Sequence, residues 1–149
     1  MTMRILLLLS LIIFGTAPAS AVDTSAPIEV WKSATCECCG AWVKHLEANG
    51  FTVKVNAAEP SALASLKRQA GIGDKLASCH TAMIDGYVIE GHVPGTDIKR
   101  LVAERPQAIG LAVPGMPVGS PGMEQGAEFE PYDVLLIKKD GSTETFARH

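Results

Sequence analysis

The sequence has few aromatic side chains, few charged side chains and no excess of positive charge. Phe, Trp and Tyr make up only 5% of its 149 residues, so a folded core must be built mainly from aliphatic side chains. The 13 Lys and Arg residues are outnumbered by 16 Asp and Glu residues. This balance argues against a nucleic-acid partner, because proteins that bind nucleic acids carry a basic face. The composition also excludes collagen, a coiled coil and a wholly disordered chain, and the length suits one domain.

The sequence also lacks a hydrophobic run long enough to cross a membrane. The apolar run Ile5–Phe14 is only half as long as a bilayer-spanning helix, which needs about 20 residues. Arg4 precedes this run and the small residues Ala19-Ser20-Ala21 follow it, in the pattern of a secretory signal peptide with its cleavage site. The alternative interpretation is an uncleaved membrane anchor.

From this pattern we predict that residues 1–21 are a signal peptide that is removed on export to the periplasm, so that no membrane anchor is left. Residues 22–27 then form a short leader, and residues 28–149 form a single domain. Because Arg4 is removed with the signal peptide, the exported chain carries a larger acidic excess than the full sequence.

The four cysteines are distributed in a way that does not suit structural disulfides. Three of them lie in the motif Cys36-Glu37-Cys38-Cys39, and Cys79 stands alone about forty residues later. Exported cysteines usually pair to link distant segments of a chain. A disulfide within a four-residue motif constrains very little of the chain, so we interpret the cluster as a chemical site.

Apolar alternation, helical spacing and turn residues predict the order β-α-β-α-β-β-α, followed by a β-hairpin. The Asp-Gly pairs at 85–86 and 140–141 are typical of tight hairpin turns. A segment with five Pro and five Gly and no periodicity, residues 106–131, is predicted to be a long irregular loop. The predicted strands are 28–32, 51–55, 81–84, 87–90, 133–138 and 143–147, and the predicted helices are 40–48, 61–70 and 96–104.

This order predicts an α/β fold with a thioredoxin-like mixed sheet flanked by helices, an extra C-terminal β-hairpin and a long Pro/Gly-rich loop. In that topology the cysteine motif occupies the turn into the first helix, where unpaired N–H groups and the helix dipole favour thiolate. The loop before the third strand passes beside this turn and carries Cys79 and His80. We therefore expect all four sulfurs to converge.

Three thiolates within one turn repel each other unless a soft cation neutralises them, and thiolates select Cu(I), Zn(II) and iron–sulfur clusters. Adjacent Cys38 and Cys39 fit a single zinc ion poorly, because zinc ligands are commonly separated by two to four residues. We therefore favour Cu(I), bound as one ion or several. The spacing Cys36-x-x-Cys39 also allows a thiol–disulfide or copper oxidoreductase. A structural zinc domain is a third interpretation.

Two histidines and two methionines are candidate additional ligands or supporting residues. His80 follows Cys79 in a strand-like stretch, so its side chain is expected to point away from that of Cys79. His92 is interpreted either as a metal or hydrogen-bonding residue or as part of a structural loop. Met116 and Met123 either cover the sulfurs as a lid, with thioethers that suit Cu(I), or anchor the long loop by hydrophobic contact.

The other two histidines are not expected to take part in the site. We interpret His45 as a solvated helix residue and His149 as a frayed terminus. Glu90 is interpreted as structural.

Four segments closely resemble a domain-of-unknown-function family of exported thioredoxin-like proteins that includes the copper-resistance protein CopG. The resemblance runs from about residue 28 to 147 and is carried by Cys36–Trp42, Ser78–Ala82, Tyr87–Pro94 and Gly110–Met123. It implies a periplasmic copper-binding protein of copper resistance and homeostasis, with a copper–thiolate cluster and redox activity. The implied partners are copper ions and other periplasmic copper-handling proteins. The implied ligands are Cys36, Cys38, Cys39 and Cys79.

Overall fold

The structure, a computed structural model, describes residues 27–149. The predicted signal peptide and all but the last residue of the predicted leader lie outside this range, so export and cleavage stay predictions. Within the described range, none of the helices has the length and apolar character needed to cross a membrane.

Seven strands and three helices make up the described chain, which confirms the predicted mixed α/β class. The predicted order of the first seven elements and the C-terminal hairpin are also observed. The elements are β1 Ile28–Lys32, α1 Glu37–Ala48, β2 Val53–Ala57, α2 Pro60–Gln69, β3 His80–Ile84, β4 Tyr87–Glu90, α3 Gly95–Glu104, β5 Ala108–Ala112, β6 Asp133–Lys138 and β7 Thr143–Arg148.

All seven strands form one mixed sheet in the order β2-β1-β3-β4-β5-β6-β7. Strand β1 pairs antiparallel with β3, so that Lys32 at the end of β1 lies opposite His80 at the start of β3. Strand β3 pairs antiparallel with β4, and Thr81 lies opposite Glu90. The end of β1, the start of β3 and the end of β4 therefore lie together at one end of the sheet.

The core of the domain is mainly aliphatic, as the small number of aromatic residues requires. Trp42 of α1 is the largest fully buried side chain, and it joins a cluster drawn from both sheet and helices. The fully buried aliphatic residues of this cluster include Ile28, Val30, Leu46, Ile89, Ile98, Leu101 and Leu111.

Several element boundaries differ from the sequence prediction, and the starts of α1 and β2 differ for clear structural reasons. Helix α1 begins at Glu37 rather than at residue 40, because Cys36 caps its start through a hydrogen bond from the Cys39 N–H to Sγ. Strand β2 begins at Val53 rather than at residue 51. The Phe51 N–H still donates to the Leu46 carbonyl in the cap that ends α1, so Phe51 cannot yet join the sheet.

The prediction that residues 106–131 are wholly irregular is wrong, because β5 occupies Ala108–Ala112 between β4 and β6. Ala and Gly are poor strand formers, and Gly110 interrupts the only apolar run in this segment. A Cβ at Gly110 would lie 1.7 Å from the Val88 carbonyl oxygen, so glycine allows the close approach of β4 and β5. Gly110 therefore made the sequence resemble a loop, and it is also the residue that allows β5 to pair with β4.

Gly110→Ala is expected to lower the free energy of unfolding by about 3 kcal/mol, because the added methyl group must displace the β4 backbone. Gly73→Ala is the control, since a Cβ there meets nothing within 4 Å. It is expected to leave stability unchanged or to raise it by about 0.5 kcal/mol. Urea unfolding of the two variants measures the difference, and equal stabilities would contradict this account of β5.

Candidate metal centre

The cysteine motif forms the first turn of α1. Cys36 is the N-cap residue, and a disulfide joins it to Cys39. Cys38 has a free thiol whose Sγ lies 3.5 Å from the Sγ of Cys36. When the disulfide is reduced, the free N–H groups and the dipole of this helix end favour the thiolate forms of Cys36 and Cys39.

Cys79 also has a free thiol, and it lies at the bend immediately before β3. The Sγ atoms of Cys36, Cys38, Cys39 and Cys79 all lie within 4.8 Å of one another. The predicted convergence of the four sulfurs is therefore confirmed. It follows from the antiparallel pairing of β1 and β3, which puts the chain leading into α1 beside the chain leading into β3.

His92 extends the cluster from the chain that follows β4. Its Nε2 lies 3.1 Å from the Cys79 Sγ, and its Nδ1 lies 2.8 Å from the Pro121 carbonyl oxygen. Because a carbonyl oxygen only accepts hydrogen bonds, Nδ1 carries the proton and Nε2 presents its lone pair toward Cys79. His92 is fully buried, so this orientation is held by packing as well as by the hydrogen bond.

His80 lies on the same side as Cys79, and the prediction that the two side chains point apart is wrong. The His80 Nδ1 is 3.3 Å from the Cys79 Sγ. Strand alternation does not apply here because Cys79 lies in a bend and only His80 belongs to β3. The His80 Nε2 is buried without a hydrogen-bond partner among the described residues, which is costly for a polar atom.

Burial controls the protonation of the groups around Cys79. It lowers the pKa of His80 and of His92, so both rings are neutral and their lone pairs are available. Burial raises the pKa of the Cys79 thiol to about 11, and the neighbouring sulfur of Cys38 acts in the same direction. Cys79 is therefore a thiol near neutral pH, and a bound cation would favour loss of its proton.

Trp42 and the segment around Gly122 cover the cluster. The Trp42 ring packs on His80 with 4.3 Å between ring centroids, and its indole N–H donates to the Val93 carbonyl at 2.8 Å. Gly122 has a φ of +85°, and a Cβ there would lie 2.8 Å from the Cys38 carbonyl oxygen. Glycine therefore lets this part of the Pro/Gly-rich loop lie directly on the start of α1.

The two methionines of the long loop occupy different positions. Met123 lines a surface groove together with Cys38. Met116 is 50% exposed and follows Gly115, whose carbonyl accepts a hydrogen bond from the Ser78 hydroxyl. The structure therefore places Met123 beside the cysteine motif and Met116 on the surface near the Cys79 turn. Their roles as lid or ligand stay predictions.

The expectations for His45 and His149 are both wrong. His45 is half-buried, and its Nε2 accepts a hydrogen bond from the N–H of Gly95 at 3.0 Å, at the start of α3. His149 is held by backbone hydrogen bonds in both directions with Tyr132, and its Nε2 lies 2.7 Å from an Asp97 carboxylate oxygen. The backbone pairing of His149 with Tyr132 lies beyond the predicted end of β7 and holds the terminus in place.

A buried ion pair that the sequence prediction treated only as structural holds the Cys79 turn in place. The fully buried Glu90 carboxylate accepts hydrogen bonds from Lys67 Nζ, from the Thr81 hydroxyl and from the Ser78 N–H, the last at 2.7 Å. Burial raises the pKa of the Glu90 carboxyl, and the charge of Lys67 opposes that shift. Since Ser78 directly precedes Cys79, this network fixes the position of the fourth sulfur.

One sequence signal could have revealed the pair. Lys67 lies four residues after the buried Leu63, on the apolar face of α2. Glu90 directly follows the apolar residues Tyr87-Val88-Ile89 at the end of a predicted strand. Opposite charges on two buried faces indicate that the two side chains pair, because an unpaired buried charge is strongly unfavourable.

The donor atoms of this cluster suit a soft metal ion. Four sulfurs and two neutral imidazoles are the ligand types that bind Cu(I) and Zn(II) in proteins. The disulfide occupies two of the sulfurs, so a full thiolate set requires its reduction. The reduced site therefore fits a soft metal ion, and Cys38, Cys79, His80 and His92 carry the donor atoms that are free without reduction.

Glu90→Gln is expected to lower the free energy of unfolding by about 3 kcal/mol, because it leaves the Lys67 ammonium buried without a counter-charge. Glu29→Gln is the control, because it breaks the exposed Lys54–Glu29 pair at 3.3 Å, and such pairs contribute less than about 1 kcal/mol. Urea unfolding of both variants checks this. A Glu90→Gln variant as stable as Glu29→Gln would show that the buried pair does not hold the turn.

Comparison with known proteins points to a family with a link to copper. The family described as "Protein of unknown function, DUF411" matches residues 76–123, which run from before the Cys79 turn to Met123. No protein of curated function matches the sequence significantly.

Two solved structures, both titled as copper resistance protein CopG, are similar to most of this chain. The one titled Form 2 is 44% identical, has a TM-score of 0.77, and aligns over 83% of this chain and 99% of its own. Form 1 gives the same identity and TM-score, with 83% of this chain and 96% of its own covered. At this identity and coverage, the chain belongs to the DUF411 family that includes copper resistance protein CopG.

Proposed function

We propose that this protein binds Cu(I) in the periplasm as part of copper resistance and homeostasis, held by a cluster of cysteine thiolates. The proposed ligands are Cys36, Cys38, Cys39 and Cys79. The observation that carries the proposal is the convergence of their four Sγ atoms within 4.8 Å. Thiolates select soft cations such as Cu(I), and the similarity to copper resistance protein CopG supports copper as the metal.

The spacing of the ligands favours copper over zinc. A structural zinc ion needs four separate tetrahedral corners, and adjacent residues such as Cys38 and Cys39 reach two such corners poorly. Thiolates that bridge two Cu(I) ions tolerate closer spacing. We therefore expect several Cu(I) ions to share the sulfurs rather than one ion to take all four.

Two chemical changes accompany the proposed binding. The Cys36–Cys39 disulfide must be reduced, and Cys79 must release its proton, because thiolates are the metal-binding form. We propose that His92 Nε2, 3.1 Å from the Cys79 Sγ, either binds copper beside this sulfur or accepts its proton. We propose the same two roles for His80, whose Nδ1 lies 3.3 Å from the Cys79 Sγ.

The proposed location rests on the sequence. Residues 1–21 have the pattern of a signal peptide, and a disulfide beside free thiols suits an oxidising compartment that also handles copper. We propose that the protein exchanges copper there with other copper-handling proteins.

A second candidate function is a thiol or copper oxidoreductase, and the disulfide favours it. Oxidation of the Cys36 and Cys39 thiols forms one S–S bond and releases two protons and two electrons. Two Cu(II) ions accept one electron each and become two Cu(I) ions. The free sulfurs of Cys38 and Cys79 lie beside the disulfide and are placed to bind these products.

Reduced wild-type protein under argon is expected to bind more than one Cu(I) per chain, with ultraviolet absorption from thiolate-to-Cu(I) charge transfer. Cys38→Ser is expected to bind fewer copper ions, because it removes one shared sulfur, while it keeps both cysteines of the Cys36–Cys39 pair. Cys39→Ser is the comparison variant, since it removes a sulfur and the disulfide together. Competition with a Cu(I) chelator and metal analysis give the stoichiometry.

Two results would contradict the copper-binding proposal. One is a protein that binds one zinc ion and no copper when both metals are offered. The other is a Cys38→Ser variant with the wild-type copper content and absorption.

The oxidoreductase candidate predicts a defined product ratio. Fully reduced protein mixed with Cu(II) without oxygen should give about two Cu(I) ions for each disulfide formed, because the dithiol is a two-electron donor. Cys38→Ser should still form the disulfide, and Cys39→Ser should not. Mass spectrometry of alkylated protein counts the disulfides, and wild-type protein that stays fully reduced would rule this candidate out.

A further inference from the structure

A surface groove of about 350 Å³ opens between the first turn of α1 and the chain that follows Pro121. Cys38 and Met123 line it, and so do the exposed acidic residues Glu37 and Glu124. We refer to this feature as the Cys38–Met123 groove. It brings together a free thiol, a thioether and two carboxylates on the outer side of the sulfur cluster.

Cys38 connects this groove to the interior of the cluster. Its Sγ lies 3.5 Å from the Cys36 Sγ and within 4.8 Å of the Cys79 Sγ. A metal ion bound to Cys38 from the groove is therefore already within reach of the next sulfurs.

The inner side of the cluster is closed. Trp42, His80 and His92 are each 0% exposed, and Cys39 is also fully buried. A hydrated or chelated ion cannot pass through this packed layer, because protein interiors are filled at the density of organic crystals. Cys36, Cys38 and Cys79 are each partly exposed, and Cys38 is the one that lines the groove. The groove side is therefore open to an incoming ion.

The backbone holds Met123 firmly at this position. The Met123 N–H donates to the Ser120 carbonyl at 2.8 Å, and its own carbonyl accepts from the Gly119 N–H at 3.0 Å. Gly122 lies so close to α1 that a Cβ at this position would be 2.7 Å from the backbone nitrogen of Trp42. The thioether is therefore presented by an ordered turn, although it lies in the long Pro/Gly-rich loop.

We propose that the Cys38–Met123 groove is the port through which Cu(I) enters and leaves the sulfur cluster, with Met123 as the first ligand and Cys38 as the second. This inference rests on the proposed function. A thioether suits Cu(I) and has no proton to lose, so it binds the ion without a charge change of its own. The carboxylates of Glu37 and Glu124 attract the cation and raise its local concentration.

The transfer is a ligand exchange without any redox step. One bond from copper to the donor breaks as the bond to the Met123 sulfur forms. That bond is then replaced by one to the sulfur of the Cys38 thiol, which releases its proton to the solvent and binds copper as the thiolate. Copper stays Cu(I) throughout, and the exchange runs in reverse when the ion leaves.

The test follows the rate of Cu(I) transfer from a Cu(I)–bicinchoninate complex to reduced protein under argon. Met123→Leu keeps the size and apolar character of the side chain but removes the sulfur. It is expected to slow loading by about tenfold, equivalent to about 1.4 kcal/mol in the barrier, with the final copper content unchanged. Met116→Leu is the matched control, since Met116 is an exposed thioether of the same loop that does not line the groove, and it should load at the wild-type rate.

Four outcomes are distinguished: three would overturn the port, and the fourth would contradict the proposed function on which it rests. If Met123→Leu takes up Cu(I) at the wild-type rate, the port is overturned. It is also overturned if Met123→Leu and Met116→Leu slow the loading equally. A lower final copper content in Met123→Leu also overturns it, because Met123 would then be a ligand of the stored copper. Wild-type protein that takes up no Cu(I) from the complex contradicts the proposed function itself.

A second variant tests the acidic rim of the groove. The Glu124 carboxylate accepts a hydrogen bond from the Gly122 N–H at 2.8 Å, and the amide oxygen of Glu124→Gln can keep this contact. Loading of this variant by aqueous Cu(I) in acetonitrile should be slower than wild type at low ionic strength, and the difference should vanish in high salt. A difference that is independent of salt would exclude electrostatic attraction as the role of Glu124.

Discussion

The antiparallel pairing of β1 with β3 is the constraint on which the rest of the site depends. It sets Lys32 opposite His80, so the chain entering α1 and the chain entering β3 leave the sheet side by side. Without this register, Cys79 would not reach the motif that begins at Cys36. The pairing of β3 with β4 then adds His92 from a third chain segment. Three chain segments that meet at one end of the sheet thus supply every sulfur and imidazole of the cluster.

Charge and burial then decide the state of these groups. The Lys67–Glu90 pair is buried beneath the Cys79 turn and ties it down through the Ser78 N–H, while packing keeps His80 and His92 neutral. The same burial holds Cys79 as a thiol. The chain thereby keeps soft donor atoms close together without the mutual repulsion of several thiolates, until a cation neutralises them. The outer surface has the opposite character, with Cys38 partly exposed beside Met123 and two exposed carboxylates.

Most of the fold could be predicted from local signals, because Asp-Gly turns and helical or alternating apolar spacing are encoded in neighbouring residues. Strand β5 was missed because Gly110 is needed there for close approach to the Val88 backbone, which is distant in sequence. The four sulfurs could be placed together from the order of the elements, but the orientation of His80 could not, because the bend at Cys79 breaks the alternation. The contacts of His45 with Gly95 and of His149 with Asp97 likewise depend on tertiary packing that no local pattern reveals.

X-ray absorption spectroscopy of the reduced, Cu(I)-loaded protein tests the central claim most directly, when wild type is compared with Cys79→Ser. The account predicts a copper environment dominated by sulfur, with copper–copper scattering in the wild type, and fewer sulfur neighbours per copper in the variant. A wild-type spectrum with only nitrogen and oxygen neighbours would contradict it. So would a Cys79→Ser spectrum that cannot be distinguished from that of the wild type.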